Sequence, residues 1–325
     1  MKHSKTILVT LLLAIATIAP AQGPNNSGTY YRAADGQKGA ALKTALYNII
    51  KDPKVVSYSG LKDAYKETDV RPDGYLRDWY SNITKFVPGS AFGSYKKEGD
   101  AYNREHTVPQ SWFNEKSPMK SDIVHVVPSD GYINNMRGNL PFGEVDKSKS
   151  YKKSANEYSI CGSCATEGYY GTVFEPNDEV KGDLARIYFY MATCYEDLIP
   201  NWSGGIFGSD GKYPGIADWQ LDMLLLWSAI DPVDDVETDR NEACYDVQKN
   251  RNPFVDYPGL EQLIWGDKKG LAFSYDNYEE SLPVTGITIN EQHTEQPIYN
   301  LRGLRVSGVL TPGIYIRGGK KFTIK

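Results

Sequence analysis

The chain has 325 residues, of which 40% are hydrophobic, 24% charged and 12% aromatic, an ordinary composition for a globular protein with a substantial core. The formal net charge is −5, and because residues 1–21 carry +2 and residues 285–325 carry +4, residues 22–284 are left with −11. This balance excludes a generally basic surface. A polyanionic partner would have to be held by a local cluster of basic residues or by bound metal.

The first 21 residues have the pattern of a secretory signal peptide. Lys2 and Lys5 give a positive start, an apolar stretch follows over residues 7–18, and Ala19-Pro20-Ala21 matches an A-x-A cleavage site. The mature chain is therefore expected to begin at Gln22 and to leave the cytoplasm. No later segment approaches the ~18 apolar residues of a membrane span, so no transmembrane segment is predicted.

Two helices and one extended segment are predicted before residue 90. Residues 38–51 carry apolar side chains on one stripe, and Pro53 stops this helix. Residues 58–68 predict a second helix. Residues 75–87 alternate aromatic, polar and β-branched residues, which is typical of a strand or a hairpin arm.

The clearest chemical pattern begins at Glu105-His106, where a carboxylate stands beside an imidazole. Because side chains alternate along a strand, the two can face one site only where the strand ends or bulges. The β-branched run over residues 123–127 predicts a strand that Pro128 closes. Ser129 or Asp130 is then placed to cap a short helix that ends at Gly138.

These residue types suit phosphodiester hydrolysis. His106 is a candidate general base, since a neutral imidazole is available near pH 7. Glu105 and Asn134 offer the oxygen ligands of a hard cation such as Mg²⁺, with Mn²⁺ and Ca²⁺ left open. His125 lies inside the apolar run and is predicted to be a buried or supporting histidine. Arg137 has two open roles, as a phosphate anchor or as a cap on the end of its own helix.

An ordered series of motifs makes the pattern specific. It comprises Glu105-His106, Pro109-Gln110-Ser111-Trp112-Phe113, Val127-Pro128, Asp130-Gly131-Tyr132-Ile133-Asn134, Phe174-Glu175-Pro176, Lys181-Gly182-Asp183, Ala185-Arg186 and Asn250-Arg251-Asn252-Pro253-Phe254. The series resembles the endonuclease I family of secreted bacterial nucleases over most of residues 38–265. The resemblance implies a ββα-metal (His-Me) finger, with His106 as general base and Glu105 and Asn134 as metal ligands.

The second half of the chain is expected to be mainly helical after a loop-dominated segment over residues 141–171. A long helix over residues 178–197 buries an apolar stripe, and its Arg186 faces either the cleft, which the family pattern favours, or an acidic partner on the same helix. Further helices are predicted over residues 218–230, 233–249 and 258–265, with Asn252-Pro253 as a break. Arg251 is predicted to be exposed, as a phosphate-binding residue or as a cap for its own helix.

Four cysteines, Cys161, Cys164, Cys194 and Cys244, allow three disulfide pairings after export. The C-x-x-C pair at 161 and 164 has no second pair or nearby histidines to complete a zinc site. A disulfide that staples the loop is the favoured interpretation, and Cys194 with Cys244 is a candidate second bridge between two helices.

The composition changes near Ser281. Leu282-Pro283-Val284-Thr285-Gly286 matches the letters of a sortase signal, but no hydrophobic span and basic tail follow, so a linker is predicted. Residues 287–325 alternate short β-rich pieces with glycine turns and resemble the C-terminal sorting domains of type IX secretion. The alternative is a small β-appendage that packs on the enzyme or binds glycan or a surface.

The predicted fold is therefore α+β. Residues 22–281 form a mainly helical catalytic domain around the finger, and residues 282–325 form a linker and a small all-β domain. The expected function is a secreted, monomeric, metal-dependent endonuclease that contacts backbone phosphates of DNA, with RNA left open. The competing interpretation is a surface-displayed binding protein without catalysis, to which the 24 tyrosines and the acidic surface would lend carbohydrate or protein contacts.

Overall fold

The structure is a computed structural model that describes residues 23–208, 210–278, 298–300, 305–306, 313–317 and 320–324. The predicted signal peptide and the predicted linker over residues 282–286 lie outside the described residues. Within the described part of the chain, helices and antiparallel sheets make an α+β fold. No helix in these ranges is long and apolar enough to cross a membrane.

The larger part of the chain packs around one central helix. The helices are α1 (Gly39–Ile50), α2 (Leu61–Thr68), α3 (Gly131–Arg137), α4 (Lys181–Cys194), α5 (Asp218–Ile230), α6 (Asp235–Gln248), α7 (Pro253–Asp256) and α8 (Leu260–Ile264). α1, α5 and α7 pack on α4, whose residues are all buried. The prediction of one buried stripe on this helix was too narrow, because its polar residues are also buried and paired.

α7 corrects the predicted break at Asn252-Pro253. α6 ends at Gln248, with Lys249 in the left-handed conformation. The Asn252 side chain accepts a hydrogen bond from the Phe254 amide, and Pro253 occupies the first helical position. An Asn followed by Pro is a strong helix start, so this dipeptide begins a helix here.

A two-stranded hairpin and α3 form the unit that carries the Glu-His pair. β1 (Tyr102–His106) pairs antiparallel with β2 (Val126–Asp130), and His106 lies opposite Val126. Asp130 caps α3 by accepting from the amides of Tyr132 and Ile133, as predicted. Gly138, at φ 56°, ends the helix, also as predicted.

The second strand lies three residues later than predicted. The Asp122 carboxylate accepts from the Val124 amide at 3.0 Å and its carbonyl from Val126 at 3.0 Å, so residues 122–125 form a turn. Pro128 does not close the strand. It lies inside β2 opposite Arg104, where a two-stranded sheet leaves one edge free for a residue without an N–H.

Two further segments differ from expectation. No strand is described over residues 75–87, where the Asp78 carboxylate accepts from the amides of Tyr80 and Ser81 and turns the chain. The segment predicted as loop contains β3 (Lys152–Lys153) and β4 (Ile160–Ser163). With β5 (Thr172–Glu175) they form a three-stranded antiparallel sheet.

The C-terminal residues that the structure describes form a separate antiparallel sheet. β6 (Ile298–Asn300), β7 (Arg305–Val306), β8 (Gly313–Arg317) and β9 (Lys320–Ile324) are ordered β7-β6-β8-β9. The β-rich composition of this tail therefore corresponds to strands. Its role in type IX secretion stays a prediction.

Candidate active site

His106 ends β1 with its ring oriented by one hydrogen bond. The ring is 5% exposed, and its Nε2 lies 3.0 Å from the carbonyl oxygen of Lys120. A carbonyl only accepts, so Nε2 carries the proton and Nδ1 keeps a lone pair. Burial, and then the nearby His125, lower the pKa of His106 to about 3, which keeps the imidazole neutral at physiological pH. The hydrogen bond at Nε2 therefore leaves Nδ1 as the ring nitrogen that can accept a proton.

Aromatic side chains surround this imidazole. Tyr58 stacks on it with ring centroids 5.9 Å apart, and Phe113 and His125 lie at 6.4 and 5.7 Å. His125 is fully buried, as predicted, and its Nε2 lies 2.6 Å from the Met119 carbonyl. Burial lowers the pKa of His125 to about 4, so it also stays neutral. His125 packs behind His106 and lies away from solvent.

Glu105 points to the other side of β1, toward α3. Its Oε1 accepts from the Tyr80 hydroxyl and from Arg137 Nη1, both at 2.7 Å. Neither donor uses Oε2. Burial raises the pKa of Glu105 to about 7, while Arg137 acts in the opposite sense. β1 has regular pairing up to His106, so the two side chains alternate faces at the strand end.

Asn134 lies on α3, partly exposed, beside the same strand. Its Nδ2 donates to the Arg104 carbonyl at 3.4 Å, which directs Oδ1 away from the strand backbone. One carboxylate oxygen and one amide oxygen are hard donors that fit a cation with few protein ligands and several waters. The described residues contain no group of three or more His, Cys, Asp or Glu side chains placed to hold a metal.

Arg137 holds the helix to the strand. Besides Glu105, its guanidinium donates to the carbonyls of His106, Thr107 and Leu140 at 2.7, 2.6 and 3.0 Å. The side chain is 1% exposed. All of its nitrogens bond to protein oxygens, which gives it a structural role in place of the phosphate contact considered from the sequence.

The expectation that Arg186 faces the cleft was wrong. The side chain is buried in α4 and pairs with Glu237 at 2.6 Å and with Asp183 at 3.3 Å. It also donates to the Asp231 carbonyl at 2.8 Å. The acidic partner on its own helix was one of the two alternatives; Glu237, on α6, was not considered.

The prediction that Arg251 is exposed was also wrong. Its guanidinium is buried and bonds to both carboxylate oxygens of Asp256, at 2.8 and 3.0 Å. Glu242 accepts from it at 2.7 Å and the Asn25 carbonyl at 2.9 Å. These contacts tie the N-terminal segment to α6 and α7 and leave the guanidinium closed to solvent.

All four cysteines are free, so neither expected disulfide is present. Cys161 lies in β4, and a spacing of three along an extended segment turns Cys164 to the opposite face. Cys161 packs in the main core, whereas Cys164 packs against Val145, Ile160 and Val173. The Cys194 thiol donates to the Ile50 carbonyl at 3.3 Å, and Cys244 is buried elsewhere, beside Trp79.

The sequence analysis missed three side chains at the hairpin. Tyr80 bonds to Glu105 from 25 residues upstream, a contact that only the tertiary fold creates. Tyr58, from the 3₁₀ turn Tyr58–Gly60, stacks on the His106 ring, and this contact too is created only by the tertiary fold. Arg104 carried a usable signal, because a residue two positions before His106 shares its face of the strand.

Comparison with known proteins finds a matching family. Residues 38–259 match the family described as Endonuclease I. An extracellular ribonuclease of Bacillus amyloliquefaciens is 37% identical over 244 residues, which cover 73% of this chain and 78% of the relative. One from Bacillus subtilis is 35% identical over 261 residues, 78% of this chain and 83% of the relative. An extracellular deoxyribonuclease of Aeromonas hydrophila is 25% identical over 226 residues, 66% of this chain and 88% of the relative.

The family match and the relatives named as nucleases define the class of protein as a nuclease, a hydrolase of nucleic acids. The chain belongs to the endonuclease I family, as the match over residues 38–259 shows. The resemblance found in the sequence motifs is thereby confirmed.

Proposed function

We propose that the chain is an exported endonuclease that hydrolyses phosphodiester bonds of DNA and RNA with little sequence preference and needs a divalent cation. Membership of the endonuclease I family supports the reaction class. Export is supported by the signal-peptide pattern of residues 1–21 and by relatives named as extracellular enzymes. Both ribonucleases and deoxyribonucleases are among those relatives, which supports action on the shared phosphate backbone.

The observation that carries the proposal is the orientation of His106. Its Nε2 donates to the Lys120 carbonyl at 3.0 Å, so the lone pair of Nδ1 is left to take a proton from the attacking water. Stacking on Tyr58 holds the ring plane in place. The low pKa of His106 keeps Nδ1 unprotonated over a wide range of pH.

Glu105 and Asn134 would hold the cation, Mg²⁺ in this proposal, with Mn²⁺ or Ca²⁺ as alternatives. The donor set fits, because Oε2 of Glu105 is used by neither Tyr80 nor Arg137. A bound divalent ion supplies positive charge that stabilises the charge developing on the phosphate and the leaving oxygen. Arg137 fixes the position of the Glu105 carboxylate from the other oxygen.

The test is digestion of supercoiled plasmid and of single-stranded RNA by the purified mature chain. We expect cleavage with Mg²⁺, none with excess EDTA, and none from His106→Ala, whose circular dichroism should still be that of a folded chain. His293→Ala is the matched control, because His293 lies outside the family-matched residues and should leave activity unchanged.

Two results would overturn the mechanism. Full cleavage by His106→Ala would remove the base, and full cleavage in EDTA would remove the cation. Binding of nucleic acid with no cleavage under any of these conditions would instead support the binding protein considered from the sequence.

A further inference from the structure

One arginine at the hairpin differs from the three arginines that the sequence suggested as phosphate contacts. Arg104 lies two residues before His106 in β1, so both side chains occupy the same face of the strand. The side chain is partly exposed, and its Nε is buried without a hydrogen-bond partner among the described residues. No ion pair between described residues includes Arg104, whereas Arg137, Arg186 and Arg251 each bond to buried carboxylates.

Aromatic rings hold this guanidinium in place of an acid. Its central carbon lies 4.2 Å from the centroid of the Tyr58 ring and 4.5 Å from that of Phe92. The Tyr58 ring also stacks on His106, and the Lys120 ammonium lies 5.2 Å from it. Stacking covers the faces of a guanidinium and leaves the N–H groups at its edge, in the fork geometry that binds phosphate oxygens.

We propose that Arg104 binds a backbone phosphate of the substrate, next to the phosphate that is attacked at His106. This inference rests on the proposed function. Residues two apart on one face of a strand are spaced by ~7 Å, so the guanidinium reaches a neighbouring phosphate and leaves the reacting one free. The formal net charge of −5 gives a polyanion no general attraction, so binding depends on local cations such as Arg104.

The position predicts a loss of binding without a loss of chemistry. Arg104→Gln should raise KM and Kd roughly tenfold, equally for duplexes of different sequence, and should leave kcat within about twofold. Because one phosphate contact is lost, the slope of log K against log salt should become shallower by about 0.9 on duplex DNA. Arg104→Lys keeps the charge, so the slope should stay while affinity falls.

Kd is measured by fluorescence anisotropy of a labelled duplex with Mg²⁺, in the His106→Ala background so that the duplex is not cleaved. KM and kcat are measured in chains that keep His106. Arg32→Gln is the matched control. Arg32 is also stacked on a tyrosine, 4.7 Å from the Tyr275 centroid, but is half exposed, pairs with Asp276 and lies outside the hairpin. Arg32→Gln should therefore leave Kd and the slope of log K against log salt unchanged.

Unchanged Kd and salt slope in Arg104→Gln overturn the Arg104 proposal and leave the nuclease proposal standing. If the wild-type chain binds the duplex but never cleaves it, the nuclease proposal is overturned. The difference in Kd and salt slope between the wild type and Arg104→Gln still tests the phosphate contact. A chain that binds no duplex overturns both. If Arg104→Gln fails to fold, chemical modification replaces the binding measurement. An arginine-specific dicarbonyl reagent is applied to His106→Ala with and without the duplex, and the duplex should protect Arg104. Absence of protection refutes the contact.

Discussion

Arg137 and Glu105 form a buried ion pair at the centre of the hairpin unit, with side chains 1% and 3% exposed. Removal of one partner leaves the other charge buried without compensation, which costs about 3–5 kcal/mol. Arg137→Met should therefore lower the free energy of unfolding by about this amount, measured by urea denaturation. It should also abolish cleavage, because Glu105 and the strand end lose their support.

Arg71 provides the control for this prediction. It pairs with Asp73 at 2.8 Å, almost the same distance, but the two side chains are 35% and 53% exposed. An exposed pair contributes about 0–1 kcal/mol, so Arg71→Met should leave unfolding and cleavage nearly unchanged. Equal losses in the two variants would contradict the role given to burial.

His125 should make stability depend on pH. Its folded pKa of about 4 lies below the value of about 6.5 in an unfolded chain. Between these values the unfolded state binds a proton that the folded state refuses, so stability falls as pH drops through this window. The buried Asp122, whose pKa is raised by burial, acts in the opposite sense, and a difference measurement is needed.

That measurement compares the wild type with His125→Phe by urea denaturation from pH 7 to pH 4. The free-energy difference, wild type minus variant, should decrease by roughly 3 kcal/mol toward pH 4, since phenylalanine has no proton to take up. A difference that stays constant with pH would show that His125 is not held neutral.

Residue-scale prediction succeeded where the partners are local in the chain. The motif around Glu105 and His106 indicated a strand end, which the structure has, although the two side chains point to opposite faces of β1. The buried state of Arg186 was not predictable, because Glu237 lies 51 residues away on another helix. The burial of Arg251 was not predictable either. An arginine beside a helix end gives the same local sequence pattern whether a carboxylate or solvent faces it, and only the packing of α6 and α7 brings Asp256 and Glu242 to this guanidinium.

At the scale of elements, the cap of α3 should link stability to catalysis. Asp130 accepts from the amides of Tyr132 and Ile133 at 2.9 Å, and from Gly99 at 2.7 Å. Asp130→Ala should cost about 1–2 kcal/mol, the usual contribution of a helix cap. It should also lower kcat at least tenfold, because Asn134 lies on the helix that loses its anchor.

Asp234 caps α6 in the same manner, accepting from the Glu237 amide at 2.8 Å. Asp234→Ala should cause a similar loss of stability, read from the melting temperature, and leave kcat unchanged. A drop in kcat of equal size in both variants would mean that Asp130 acts on activity only through global stability.

Element prediction followed the strength of periodicity. The apolar stripe of residues 38–51 gave α1 within a residue or so, and residues 218–230 gave α5. The strand predictions from short apolar runs were wrong in place or in kind. The carboxylates of Asp78 and Asp122 fold the backbone into turns where β-branched and aromatic residues favour strands. The hairpin was predicted from the Glu105-His106 motif and the β-branched run over residues 123–127, and in the structure His106 pairs with Val126 at the strand end.

At the scale of the whole molecule, the acidic catalytic part and the basic tail are distinct in composition and in family match. The match ends at residue 259, and the main hydrophobic core includes buried residues from Tyr31 to Tyr275. Tyr315 and Ile316 are buried but lie outside that core cluster. Among the described residues, the main core cluster is therefore built by residues 31–275, and the tail carries a charge of +4.

Deletion of residues 282–325 from the mature chain should leave the melting temperature within a few degrees and kcat unchanged. A second truncation after residue 259 ends with the family match but removes Leu260, Leu263, Ile264, Trp265 and Phe273 from the core. Loss of several buried side chains of this size, at ~2–5 kcal/mol each, exceeds the stability of an ordinary domain. The chain truncated after residue 259 should therefore unfold. If deletion of residues 282–325 alone also unfolds the chain, the tail is part of the catalytic fold.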